Sequence, residues 1–202
     1  MSRKRDRRPG NEPADDGPWL EPGAPAPRLL LFAPNSADLD AALATGGIAA
    51  VIVDPRADEL TVVQAACRRH GVALVLHGHP AGAIRTDGVH LDDPQRVAAA
   101  RTLVGRDRLI GAGCGRSRHA AMVAGETGAD YVLFGSPTDP APDDKLRQLV
   151  AWWSELFVLP CAAAGDLSLA DAMALIEAGA DLVAVRADGG REIELARALM
   201  AP

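Results

Sequence analysis

Aromatic side chains are scarce in this sequence: three Trp, three Phe and one Tyr among 202 residues, or 3%. A chain so poor in flat rings lacks the stacking platforms that hold single-stranded nucleic acid. A basic excess is missing too. Lys and Arg number 21 against 27 Asp and Glu, a formal net charge of -6, whereas a nucleic-acid binder normally shows a basic face. Three cysteines, Cys67, Cys114 and Cys161, are too few and too scattered for a disulfide scaffold or a zinc ribbon. No apolar run has the length of a membrane span, since Ile48–Val53 and Val72–Leu76 are strand-length. A signal peptide is also lacking. The expectation is a protein of a reducing cytoplasm, with neither nucleic acid nor membrane as partner.

The composition that remains, 48% apolar and 24% charged, is that of an ordinary globular protein. Residues 1–27 differ from the rest. Met1–Arg8 is dense in Arg and Lys, and Pro9–Pro27 is rich in Pro, Gly, Asp and Glu. Such a segment buries too little to offset its ordering entropy and reads as a disordered tail. Its acids, Asp6, Glu12, Asp15 and Asp16, dilute the basic start, which favours a solvated leader over a nucleic-acid or membrane arm.

From Arg28 onward short apolar runs alternate with Ala-rich segments of helical spacing. The runs are Leu29–Phe32, Ala49–Val53, Val72–Leu76, Gly88–Leu91, Leu109–Ala112, Asp130–Phe134, Val158–Ala162 and Leu182–Arg186. The helical segments are Asp38–Thr45, Glu59–His70, Pro94–Val104, Ser117–Thr127, Asp144–Leu156, Leu169–Ala178 and Glu192–Met200. Alternation of this kind predicts βαβ units and a parallel sheet covered on both faces. Glycines at His70-Gly71, Thr127-Gly128 and Ala178-Gly179 stand where a left-handed residue would close each helix. The repeated Gly-Ala-Asp at 128–130 and 179–181 hints at duplicated units. Eight strands and about eight helices predict an α/β fold, a compact (β/α)₈ TIM barrel over residues 28–202. That body is short for a fold whose usual size is about 250 residues. The runner-up, an open doubly wound sheet, would want a glycine-rich phosphate loop after the first strand, and Ala33-Pro34-Asn35-Ser36 has none.

In a barrel the chemistry gathers at the carboxyl ends of the strands. In chain order those ends carry Asp54 and Arg56; His77, Gly78 and His79; His90, Asp92 and Asp93; Cys114 and Arg116; Ser136 and Thr138; Gly165 and Asp166; Arg186 and Asp188. His77 and His79, two apart, would face one side of an extended segment and, with His90 and Asp92 or Asp54, could bind a transition metal. The same pair also reads as a polar turn before Pro80. The stretch Gly165-Asp166-Leu167-Ser168 opens the seventh helical segment and suits either a phosphate site or ordinary N-capping. Arg186 could offset the charge of Asp166. Trp152 and Trp153 read first as core packing and second as the interface of a homodimer.

Five stretches resemble the thiamine phosphate synthase / TenI family. They are Asp87-Gly88-Val89-His90-Leu91, Ile110-Gly111, Gly128–Gly135, Leu159-Pro160 with Ala162–Leu167, and Gly179–Val185. The sixth-strand piece, Gly128-Ala129-Asp130-Tyr131-Val132-Leu133-Phe134-Gly135, is the most specific. The resemblance runs in order along nearly all of Arg28–Pro202. It implies a (β/α)₈ barrel. For synthase members it implies joining a hydroxymethylpyrimidine pyrophosphate to a thiazole phosphate with Mg²⁺ and release of pyrophosphate. TenI-type members handle a thiazole phosphate tautomer without that metal chemistry.

The departures from the family pattern fall on the chemistry. In the segment after the second strand only Arg56 persists. The Asn-Asp pair after the third strand is His77-Gly78, and Gly78 offers no ligand. The Ser-x-His segment is Cys114-Gly115-Arg116, with His119 one turn further on. The loop after the sixth strand keeps Thr138 and Lys145 among added acids, and a Gly-Gly pair is Gly165-Asp166. Cations are lost or acids gained around both phosphate positions.

The resulting expectation is a divergent member of the family that binds a phosphorylated small molecule. Arg56, His90, Cys114 and Lys145 are the catalytic candidates. Ser136, Thr138, Gly165, Asp166, Ser168 and Arg186 are the substrate and phosphate candidates, and Asp92 and Asp93 the Mg²⁺ candidates. A noncatalytic ligand-binding or regulatory barrel, and a metal-dependent hydrolase built on His77, His79 and His90, are the competing readings.

Overall fold

A computed structural model describes residues 28–33, 39–54, 60–187 and 190–200. The expected tail over 1–27 lies outside them. Each apolar run forms a strand: β1 Arg28–Ala33, β2 Ile48–Val53, β3 Ala73–His77, β4 Gly88–Leu91, β5 Leu109–Gly115, β6 Tyr131–Phe134, β7 Cys161–Ala164 and β8 Leu182–Arg186. All pairs are parallel, and β8 returns to β1, with Leu31 opposite Val185, so the sheet closes into a barrel. The helices are α1 Leu39–Ala44, α2 Leu60–His70, α3 Val97–Val104, α4 Arg118–Thr127, α5 Asp144–Leu156, α6 Leu169–Glu177 and α7 Arg191–Met200. The (β/α)₈ expectation holds.

One detail differs from the sequence reading. The seventh strand is Cys161–Ala164, not Val158–Ala162. Val158 is fully exposed, and Pro160 offers no N–H to a ladder. Among the described residues, the link from β3 to β4 carries no α-helix, only a 3₁₀ turn at Pro80–Arg85. The linker is short and punctuated by Gly78, Pro80 and Gly82, which leaves no run long enough to nucleate a helix.

Helix ends follow the side-chain chemistry. Ser117 caps α4, Asp143 caps α5, and Ser168 forms a reciprocal capping box with Asp171 on α6. On α5 the buried residues Leu146, Leu149, Val150 and Trp153 recur at helical spacing and pack against the sheet. Trp153 is buried, stacks on Phe157 at 4.0 Å and donates its indole N–H to the Leu159 carbonyl. Trp152 lies under the Arg118 guanidinium at 4.5 Å.

Two apolar layers result. The outer one lies between strands and helices. The inner one fills the barrel with Leu30, Ala50, Ile52, Val75, Tyr131, Leu133, Ala162, Ala164 and Ala184. Four of these nine are alanine, and β5 contributes glycine. At Gly111 an added Cβ would lie 2.0 Å from the Tyr131 ring, so that glycine is the socket for the chain's one tyrosine.

One device recurs at the base of the barrel. Asp87, Asp130 and Asp181 each precede an even-numbered strand. Each backbone N–H donates to a carbonyl of the preceding odd strand, at Leu74, Ile110 and Cys161. Each carboxylate then accepts the N–H of that same residue, at 2.8, 2.7 and 2.9 Å. Asp130 also receives Arg101 at 2.5 Å. Before β2 the equivalent residue is Gly47, which accepts from Leu29 N–H through its backbone alone. An added Cβ there would meet the Met200 side chain of α7 at 2.8 Å. Replacing Asp181 by Ala leaves the N–H of fully buried Cys161 without its acceptor. Urea unfolding should show a loss of about 1–3 kcal/mol, and Asp181→Asn, which keeps an oxygen there, a smaller one.

Candidate functional site

The carboxyl ends of the strands surround a cavity of about 510 Å³. Its apolar wall comes from Phe32, Ala33, Ile52, Leu133 and Pro137. Its polar groups are Asp54, His77, Asp92, Ser136, Thr138 and Arg186. Gly113, Gly115 and Gly135 complete the lining and leave backbone exposed. These residues are far apart in sequence, and barrel closure alone makes them neighbours.

Four of the residues expected at the site meet here: Asp92, Ser136, Thr138 and Arg186. The Ser136 and Thr138 hydroxyls lie 3.0 Å apart. Their loop is ordered by Asp139, whose carboxylate accepts the Ser136 N–H and whose carbonyl accepts the Asp166 N–H. Arg186 ends β8 with an exposed side chain and makes no ion pair among the described residues.

His77 and Asp92 form the strongest polar contact in the cavity. The His77 Nε2 lies 3.0 and 2.9 Å from the two Asp92 oxygens. This hydrogen bond holds the His77 pKa above the ordinary histidine value against partial burial, and nearby Asp54 adds to the effect. The same bond holds the Asp92 carboxyl below its ordinary value.

His90 sits beneath the pair, fully buried. Its Nδ1 lies 2.9 Å from the Tyr131 hydroxyl and its ring stacks against Tyr131. Its Nε2 has no hydrogen-bond partner among the described residues, and the Asp92 carboxylate is 4.0 Å away. Burial, with the charge of His77, pushes the His90 pKa down to about 4. Phe32 meets both imidazoles edge-on, at 5.9 and 5.5 Å. Tyr131 and Phe32 are the participants that sequence reasoning passed over, while Asp54 was named among the strand ends. The specific sixth-strand motif contained Tyr131, and the inward alternation of β1 pointed to Phe32.

Other expected residues lie elsewhere. Cys114 faces the outer apolar layer, its thiol donating to the Ala112 carbonyl at 3.4 Å. Burial pushes that thiol up to about 12, so it carries no thiolate near neutral pH. Lys145 is exposed on the first turn of α5 and does not line the cavity. Arg116 pairs with Asp143 at 2.6 Å. Asp166, Ser168 and Arg191 line a second cavity, of about 490 Å³, with Asp171 and Glu194. There Arg191 is paired with Asp166, and Gly165 lies beside it against Pro140 and Pro142. Arg56 and Asp188 fall outside the described residues.

The residues present fit a divalent cation poorly. Gly78 supplies no oxygen from a side chain. Asp93 caps the 3₁₀ turn that starts at Pro94, accepting the Gln95 N–H. Both Asp92 oxygens are engaged by His77. Among the described residues no group of three His, Cys, Asp or Glu side chains could hold a metal ion. His79 is exposed beyond the positive-φ Gly78, so the trio of His77, His79 and His90 is not assembled. The left-handed residue breaks the alternation that would have put His77 and His79 on one side.

The class is a closed parallel (β/α)₈ barrel with a cavity at the carboxyl ends of its strands. The thiamine monophosphate synthase family profile matches residues 39–188, and the chain belongs to this family. A thiamine-phosphate synthase of Rhodospirillum centenum is 38% identical over 181 residues, covering 78% of this chain and 86% of that protein. One from Erythrobacter litoralis is 45% identical over 132 residues, covering 61% of this chain and 62% of its own length. The thiamine phosphate pyrophosphorylase of Pyrococcus furiosus shares the fold at a TM-score of 0.68 and 20% identity, covering 86% of this chain and 97% of that one. No described helix is long and apolar enough to cross a membrane.

The pH dependence has a definite sign. His77, with a raised pKa, contributes stability that is complete below its unfolded value and is lost as pH rises through its folded one. Asp92, with a lowered pKa, contributes stability that is lost as pH falls through its folded value. Buried His90 adds a penalty as pH drops from 6.5 toward about 4. In an NMR titration the His77 ring should change charge above pH 6.5, and the His90 ring should stay neutral to about pH 4. Asp92→Asn should bring the His77 midpoint down.

Proposed function

We propose that the chain acts in thiamine biosynthesis as a transferase of the thiamine-phosphate-synthase type, holding phosphorylated thiazole or pyrimidine at the barrel mouth. The observation that carries this reading is the meeting of Asp92, Ser136, Thr138 and Arg186 in one cavity of a chain that belongs to the family. In the reaction a pyrimidine methylene carbon loses its C–O bond to pyrophosphate, which departs with the electron pair. The thiazole nitrogen lone pair forms the new C–N bond. Negative charge therefore grows on the leaving oxygens, and a preorganised cation there lowers the barrier.

Arg186 is suited to that task, because its fixed charge and forked donors match phosphate oxygens. The Ser136 and Thr138 hydroxyls add short-range donors from the loop after β6. Phe32, Ile52 and Leu133 offer an apolar wall to an aromatic ring and keep water from the reacting carbon. His90, braced by Tyr131, is fully buried beneath the cavity and does not line it, so its part is to support the residues above it.

A second reading, ligand binding without turnover, is favoured by Lys145 and Cys114 lying away from the cavity. One experiment separates the two. Purified chain is supplied with both phosphorylated precursors, and thiamine phosphate is followed by chromatography while melting is followed in parallel. Product formation supports the transferase. A raised melting temperature without product supports the binding barrel. Neither response removes both. Arg186→Ala should weaken capture of a phosphorylated precursor by about tenfold or more.

A further inference from the structure

We infer that this chain takes its thiazole as the free alcohol, because its own carboxylates fill the place where a barrel would seat a phosphate on that reactant. The inference rests on the transferase reading above and concerns which of the two reactants brings phosphate to the mouth.

The chemistry needs only one phosphorylated reactant. The pyrimidine's pyrophosphate leaves with the C–O electron pair, and the thiazole nitrogen supplies the pair for the C–N bond. A phosphate on the thiazole takes part in neither event and serves only as a handle for binding. In the transferase reading the pyrophosphate meets Arg186, Ser136 and Thr138 in the first cavity. Barrels commonly seat phosphate at the loops after the seventh and eighth strands, where backbone N–H groups and a helix N-terminus meet it. Here those loops border the second cavity, of about 490 Å³.

That cavity is built against an anion. Asp166, Asp171 and Glu194 line it beside one guanidinium, Arg191, and Arg191 is already paired with Asp166. The amides are engaged as well. The Asp166 N–H donates to the Asp139 carbonyl at 2.9 Å. The Ser168 N–H donates to the Asp171 carboxylate at 3.1 Å, within the capping box of α6. The Gly190 N–H, just before α7, donates to the Glu192 carboxylate at 3.1 Å.

A phosphate arriving here would break an ion pair and still face the Asp166 carboxylate. The loop has no room to carry that carboxylate away. A Cβ on Gly165 would lie 2.8 Å from the Pro140 carbonyl oxygen, and Asp139 holds the next residue by its amide. A dianion beside one exposed carboxylate loses about tenfold in affinity. A hydroxyl carries no charge to repel and can donate to the same carboxylate.

Calorimetry on the full chain compares thiazole phosphate with the matching thiazole alcohol, and inorganic pyrophosphate is titrated in parallel. The unaltered chain should bind the phosphate no more tightly than the alcohol. Asp166→Asn should raise the ratio of phosphate to alcohol affinity by about tenfold. Asp166→Gly supplies the same comparison should that variant fail to fold. Reading the ratio keeps a general loss of binding in a variant from imitating the effect. A preference of the unaltered chain for the phosphate of about tenfold or more, a ratio unmoved in both variants, or binding of pyrophosphate with no binding of either thiazole would each overturn the inference and leave the phosphorylated-ligand site standing. If neither pyrophosphate nor either thiazole binds, the transferase reading falls with it.

Discussion

The position of every strand end depends on how the barrel is registered at its base. Three aspartates do this with two contacts each, one through the backbone N–H and one through the carboxylate. Asp87 ties β4 to β3, Asp130 ties β6 to β5, and Asp181 ties β8 to β7. The side chain satisfies an N–H that would otherwise be left at the bottom of the sheet. Because residues on a strand alternate between faces, a slip of one residue would turn His90 or Tyr131 out of the barrel. The same brackets explain the repeated Gly-Ala-Asp. The glycine closes a helix, while the aspartate fixes the next strand to its neighbour. Asp87 shows that the bracket survives without the glycine and alanine.

Above this base the interior changes character along its axis. The lower and middle levels are apolar, and the missing side chain of Gly111 gives the Tyr131 ring its space. The next level holds His90, neutral and hydrogen-bonded to the tyrosine. The top level holds the charged pair of His77 and Asp92 beside Arg186. Charge increases in step with access to water, as desolvation costs require. A buried imidazole under a half-buried one gives the mouth two histidines with opposite pKa shifts, their rings 5.8 Å apart.

Much of this was legible in the sequence, for physical reasons that can be named. Strands covered on both faces must be continuously apolar, and the runs at 48–53 and 72–76 announced them. Strand ends were readable because polarity begins where the barrel stops. The seventh strand was misplaced because Val158 and Leu159 look like strand residues while Pro160 forbids pairing there. The site was readable only as a ring of candidates. Sequence gives no direction to a side chain at a strand end, so Cys114 and Gly113 were indistinguishable, though one faces the helices and the other the cavity. Nor does it say which acids are already spent. Asp93 looks like Asp92 in the chain, yet one caps a 3₁₀ turn and the other grips His77.

The unbracketed pair, β1 and β2, has a consequence for how the molecule is assembled. Gly47 leaves no carboxylate at this seam, and the space its side chain would occupy is taken by Met200 from α7. Among the described elements α7 leaves the ribosome last. The seam nearest the start of the barrel is therefore sealed by the last of the described helices, so it is completed only once α7 has been made rather than strand by strand.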